Sequence, residues 1–151
     1  MNKILYCTVI YLSIIQVGLA GYPTTLVTKF NSLIQEIDNT STKVRPAAEN
    51  AQQQCTQARQ FAMQQGKSPA TGDVFRLDAN VDLAWGGREL SDAFTAVSVG
   101  TQLLTIQNPT QEQINNLEYA TNFGLTAITD SNSYYYSSML LYSKAVLEYQ
   151  K

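Results

Sequence analysis

Along residues 24–44, Leu26, Phe30, Leu33, Ile37, Thr40 and Val44 recur at steps of three and four, with Val27 and Ile34 widening the stripe. That spacing puts them on one face of a helix and leaves Lys29, Glu36, Asp38 and Lys43 toward water. A lone amphipathic helix is marginal in water, so the stripe requires helical partners. The segment Asp38 to Thr42 is poor helix material, because its side chains compete for backbone hydrogen bonds, and a fray or kink is expected there. Pro46 suits the first turn of a second helix over 46–65, closed by Gly66 in a left-handed cap. Its stripe is made of small residues, Ala48, Ala51, Cys55, Ala58 and Ala62, with Phe61 and Met63 at one end. The alternative is one long, proline-bent helix continuing through Ala47, Ala51, Gln54, Ala58 and Phe61.

Residues 67–72 form the clearest loop, and Asp73 is placed to cap the next helix. Val74, Leu77, Val81, Ala84 and Trp85 make one stripe, and Leu90, Phe94, Val97, Thr101 and Leu104 another. Gly86-Gly87 between them predicts a kink or short break. Asn108-Pro109 ends that element, and Thr110 to Gln113 matches a capping box for a further helix. Its stripe is Ile114, Leu117, Ala120, Leu125 and Ile128. A break is expected over residues 130–133, after which Tyr135, Met139, Tyr142, Val146 and Tyr149 restart the helical step. No run alternates with period two between turns, so no strand is expected. The fold class is all-α, an antiparallel bundle of four to six helical segments.

Residues 1–20 change the picture of where the protein goes. Lys3, an apolar run from Ile4 to Val17 and the small residues Gly18 and Ala20 have the layout of a signal peptide cleaved after Ala20. The expected mature chain is then residues 21–151, one helical-bundle domain, secreted and extracellular. No later segment could span a membrane. Of the two cysteines only Cys55 would remain, either buried as a small hydrophobe or paired between two copies in a homodimer. Asn39-Thr40-Ser41 is a candidate N-glycosylation site at Asn39; Asn108-Pro109-Thr110 is blocked by its proline.

Ten basic and twelve acidic residues give a net charge of −2, and Lys3 departs with the leader. No basic run is present, so nucleic acid is not an expected partner. The chain contains no histidine. That removes histidine-dependent nucleophilic machinery, the common zinc sites and imidazole acid/base catalysis. No cofactor or metal site is expected. Asp78, Asp82 and Glu89 are the carboxylates that could serve a glycoside hydrolase, although a solvated helix face explains them as well. Tyr134, Tyr135 and Tyr136 point three ways from a helix, so at least one is exposed; with Trp85 they form a candidate binding surface. The expectation is a non-enzymatic protein that binds an extracellular protein or glycan. A second expectation is a carrier holding a small apolar ligand or lipid near Trp85, Phe94 and Phe123.

Overall fold

The structure is a computed structural model describing residues 21–151; the expected leader, with its cleavage motif and Cys7, lies outside the described residues. Every regular element among those residues is helical: α1 (Thr24–Asn39), a π-helical turn (Thr40–Val44), α2 (Arg45–Gln64), α3 (Ala70–Leu104) and α4 (Gln111–Gln150). The π turn joins α1 to α2 without a loop, so the segments expected from the sequence merge into three helical runs. A π turn is wider than an α turn. It falls just ahead of Pro46, where the proline ring and its missing N–H would otherwise strain a regular helix.

Neither of the later helices breaks where a break was expected. α3 passes unbroken through Gly86-Gly87, and α4 through residues 130–133. Of the polar residues that suggested a break at 130–133, Ser131 is buried and donates its hydroxyl to the carbonyl of Gly86 at 2.8 Å.

The helices gather into two compact units, one of residues 21–40 with 90–129 and one of 41–89 with 130–151. In the first, α1 buries Leu26, Val27, Phe30, Leu33, Ile34 and Ile37, as its stripe predicts. The same unit buries Ala93, Ala96, Val97 and Leu104 of α3 and Leu117, Ala120, Ala127 and Ile128 of α4. Tyr22 donates to the Leu103 carbonyl at 2.6 Å, Phe30 covers Gly100, and Leu33 and Ala96 close on Gly124. Partners therefore descend along α3 as α1 ascends, an antiparallel pair. At the start of α4 the capping box forms as expected. The Thr110 N–H donates to Gln113 Oε1 at 2.8 Å, and the Gln113 N–H to Thr110 Oγ1 at 3.3 Å.

The second unit takes α2, the first half of α3 and the last part of α4. α2 ends at Gly66, with φ of +74°, where the Lys67 N–H bonds the Ala62 carbonyl and the Gly66 N–H that of Met63. That is the paired closure a left-handed glycine permits. Ala48, Cys55 and Ala62 are buried as the small-residue stripe predicts, whereas Phe61 and Met63 stand in solvent. Gln52 faces Asn80 and Arg59 faces Asp73, so α2 and α3 run antiparallel. Asp73 facing Tyr149 and Asn80 facing Tyr142 make α3 and α4 antiparallel too.

A side chain at Gly100 would overlap the Phe30 ring. Gly100→Val is expected to lower stability by about 1–3 kcal/mol, the usual cost of overpacking a filled core, measured by chemical denaturation followed by circular dichroism.

Candidate functional site

The second unit is built on a seven-residue repeat shared by its three helices. Tyr135, Tyr142 and Tyr149 of α4 are all buried, and each faces a small residue of α3: Gly86, Ala79 and Gly72 in turn. A Cβ at Gly72 would overlap the Tyr149 ring, and one at Gly86 would lie 3.0 Å from that of Tyr135. The matching positions on α2 are Ala48, Cys55 and Ala62, equally small and buried. Three large rings thus fill space left open by small side chains on two helices.

A buried phenol needs a partner for its hydroxyl. Two rungs of the ladder supply one from the residue after the small one. Tyr149 donates to Asp73 Oδ1 at 2.6 Å and Tyr142 to Asn80 Oδ1 at 2.7 Å. α2 completes each rung. Arg59 grips Asp73 with Nε at 2.7 Å and Nη2 at 3.0 Å, and the Gln52 amide donates to Asn80 at 3.0 Å. Arg76 adds a further contact to Asp73 at 3.1 Å.

The third rung is incomplete. Seven residues on from Asn80 stands Gly87, and the Tyr135 hydroxyl is buried without a well-formed hydrogen bond, its neighbour Ser131 donating instead to the Gly86 carbonyl. Arg45, seven residues before Gln52, holds Glu49 on its own helix through Nε at 2.7 Å. Around the gap lies an open cleft of about 430 Å³ lined by Arg45, Glu49, Gln52, Asn80, Leu83, Ala84, Gly87 and Tyr135. Two costs converge there. An orphaned buried hydroxyl costs about 1–3 kcal/mol, and a glycine inside a helix about 1 kcal/mol relative to alanine. The Tyr135 ring accounts for Gly86. Nothing in the packing accounts for Gly87, whose missing Cβ would have only the Tyr135 hydroxyl near it, at 3.9 Å.

Electrostatics follow the ladder. The Arg59 guanidinium, aided by Tyr149 and Arg76, holds the Asp73 carboxyl far below the ordinary carboxylate range. Burial pushes the Tyr142 hydroxyl up to about 12 and raises that of Tyr135. Burial also raises Tyr149, and its bond to Asp73 adds to the effect. Burial likewise pushes the Cys55 thiol up, the opposite of what a reactive thiolate needs.

The residues singled out from sequence are spread over different environments. Trp85 and Tyr134 stack with ring centroids 6.3 Å apart, the Arg88 guanidinium lies 5.0 Å over Trp85, and Tyr136 is exposed. Tyr135 is not on that surface: it is 1% exposed, because its position belongs to the buried heptad. Cys55 is free and wholly buried among Ala62, Ala79, Tyr142 and Ala145, so a disulfide to a second copy does not fit its placement. Asn39, half-buried, is the last residue of α1. Of the carboxylates, Asp78 is exposed and Asp82 accepts a bond from Ser137. Asp73, expected to cap α3, instead lies within its first turn and joins three helices. Trp85 and Phe123 are exposed rather than set in a core. Among the described residues no group of His, Cys, Asp and Glu is placed to hold a metal ion.

The sequence pattern did not single out Arg45, Gln52 and Asn80, and it marked Gly87 only as half of a helix-weakening pair. The signal available was the heptad itself, since 45, 52 and 59 on α2 match 87, 80 and 73 on α3 and 135, 142 and 149 on α4.

A carboxyl whose pKa is lowered by folding stabilises the fold above its unfolded value and loses that contribution as pH falls. The Asp73 rung should therefore weaken progressively below its ordinary value of 3.8. Acid denaturation of the wild type should show this loss, and Asp73→Asn should flatten it. At pH 7 the variant should be less stable by on the order of 1 kcal/mol, as expected for charge-assisted bonds that are partly open to water. Urea melts from about pH 2 to neutrality provide the measurement.

Compared with protein-family models, curated proteins and solved structures, the chain matches none.

Proposed function

We propose that the protein is exported and acts, without catalysing a reaction, by binding an extracellular protein along the outer face of α3. The observation that carries this reading is a row of apolar side chains left in solvent. Val74, Leu77, Val81 and Trp85 are 58%, 56%, 56% and 41% exposed. They follow one another at steps of three and four, so they form one ridge on one face of the helix. Such a ridge, flanked by Asp78, Asp82 and Arg88, has the composition of a surface covered by a partner. A helix laid against it would read the ridge as spaced anchors.

A protein partner is favoured over a glycan by the state of the aromatic rings. Tyr134 already stacks against Trp85 and Arg88 lies over it, which leaves less of the indole for a sugar face. Tyr136 and Leu140, exposed on the adjoining stretch of α4, supply further apolar contact area. Export rests on the layout of residues 1–20, and among the described residues no helix is long and apolar enough to cross a membrane.

Expression of the whole chain in a secreting cell tests both parts. The protein should appear in the medium with Gly21 at its N-terminus. A photo-crosslinker at Asp78, within the ridge, should capture a discrete extracellular protein. Leu77→Lys with Val81→Lys should reduce that capture at least about tenfold, the loss expected for two central apolar anchors, with helicity and melting temperature unchanged. Retention inside the cell, or equal capture by the double variant, overturns the proposal.

A further inference from the structure

We propose that the cleft beside Gly87 binds a small carboxylate, which gives Arg45 and Tyr135 the group that Asp73 gives Arg59 and Tyr149. The two rungs share their arginine and tyrosine and differ at the α3 position between them, with Arg76 added at Asp73 in one and Glu49 holding Arg45 in the other. In the complete rung an arginine of α2 and a tyrosine of α4 converge on a carboxylate carried by α3. In the incomplete rung an arginine of α2 and a tyrosine of α4 occupy the corresponding heptad positions and line the same cleft. The residue in the position of the carboxylate is a glycine. What is missing is therefore a defined chemical group, an acceptor able to take N–H donors from a guanidinium and O–H from a phenol.

Space and charge agree with that assignment. The Gly87 hollow abuts the Tyr135 hydroxyl, which makes no well-formed hydrogen bond within the protein. Arg45 meets Glu49 through Nε in an exposed pair one helical turn apart, and such pairs contribute little and rearrange easily. A guanidinium carries five N–H donors, so it can hold Glu49 and a ligand together. Leu83 and Ala84 give the cleft an apolar wall, and about 430 Å³ leaves room for a short hydrocarbon or single ring behind the carboxylate. Glu49 is the opposing charge: it competes for Arg45 and repels an anion. The site therefore favours acids whose apolar part adds contact with Leu83 over a bare anion such as acetate.

Titration calorimetry of the purified protein with acetate, butyrate, benzoate and benzamide tests the assignment. Butyrate and benzoate should bind more tightly than acetate. Neutral benzamide, which has the shape of benzoate without its charge, should bind at least about tenfold more weakly than benzoate. Arg45→Gln and Tyr135→Phe should each weaken benzoate by about fivefold or more, and Glu49→Gln should strengthen it. Gly87→Asp should abolish benzoate binding and raise the melting temperature, because it restores the rung from within the chain. Should that variant fold poorly, Tyr135→Phe and Arg45→Gln still decide the matter, since one removes an orphaned hydroxyl and the other changes an exposed side chain. No binding of benzoate at about 10 mM, where even weak ligands register, overturns the proposal. So does equal binding of benzamide, or benzoate binding that Arg45→Gln and Tyr135→Phe leave unchanged.

Discussion

The second unit depends on matching large rings to small partners. Tyr135, Tyr142 and Tyr149 recur every seven residues, and so do the small residues they cover on α2 and α3. A buried tyrosine carries a large hydrophobic area and one polar atom. The ring can be accommodated only where neighbouring side chains are absent or nearly so. The hydroxyl is accommodated only where a polar group waits at the end of the ring. Both demands are met twice, at Asp73 and at Asn80. At the third position only the first is met, and there the unit opens a cleft.

The first unit solves the same problem of burial by a different route. Its α1 stripe consists of Leu, Ile, Val and Phe, which carry no polar atom to satisfy. The accommodation is geometric: Gly100 admits Phe30 and Gly124 admits Leu33. Glycine inside a helix weakens it intrinsically. In both units, though, most of the helical glycines lie where a side chain has taken the space of a Cβ, so tertiary packing offsets the local penalty. Gly87 stands outside that rule, and this sets its surroundings apart from ordinary core.

The chemistry of the chain comes from what it lacks and from where its charges go. Without histidine, the charged groups left for a site are carboxylates, arginines and lysines. The strongest grouping of these, Asp73 with Arg59 and Arg76, is consumed in holding three helices together. Charge that remains near the surface, at Asp78, Asp82 and Arg88, borders an apolar ridge.

Much of the fold was legible because helical periodicity is a local property. The α1 stripe, the small-residue face of α2, the glycine closure at Gly66 and the capping box at Thr110 all stand as the spacing implies. The continuity of α3 and α4 was not legible. Gly86-Gly87 and Asp130 to Ser133 are helix-weakening by propensity, and the Tyr135 ring against Gly86 and the Ser131 hydroxyl on its carbonyl are contacts between groups distant in sequence. Tyr135 itself could be placed inside or outside from its neighbours alone; the register of α3 against α4 put it inside. By itself, then, the sequence determined that the chain is helical and which faces are apolar, since both depend on spacing within a few residues. Tertiary structure decided which hydroxyl found a partner and which did not, because a hydrogen bond across 45 to 76 residues of chain exists only once the helices are packed.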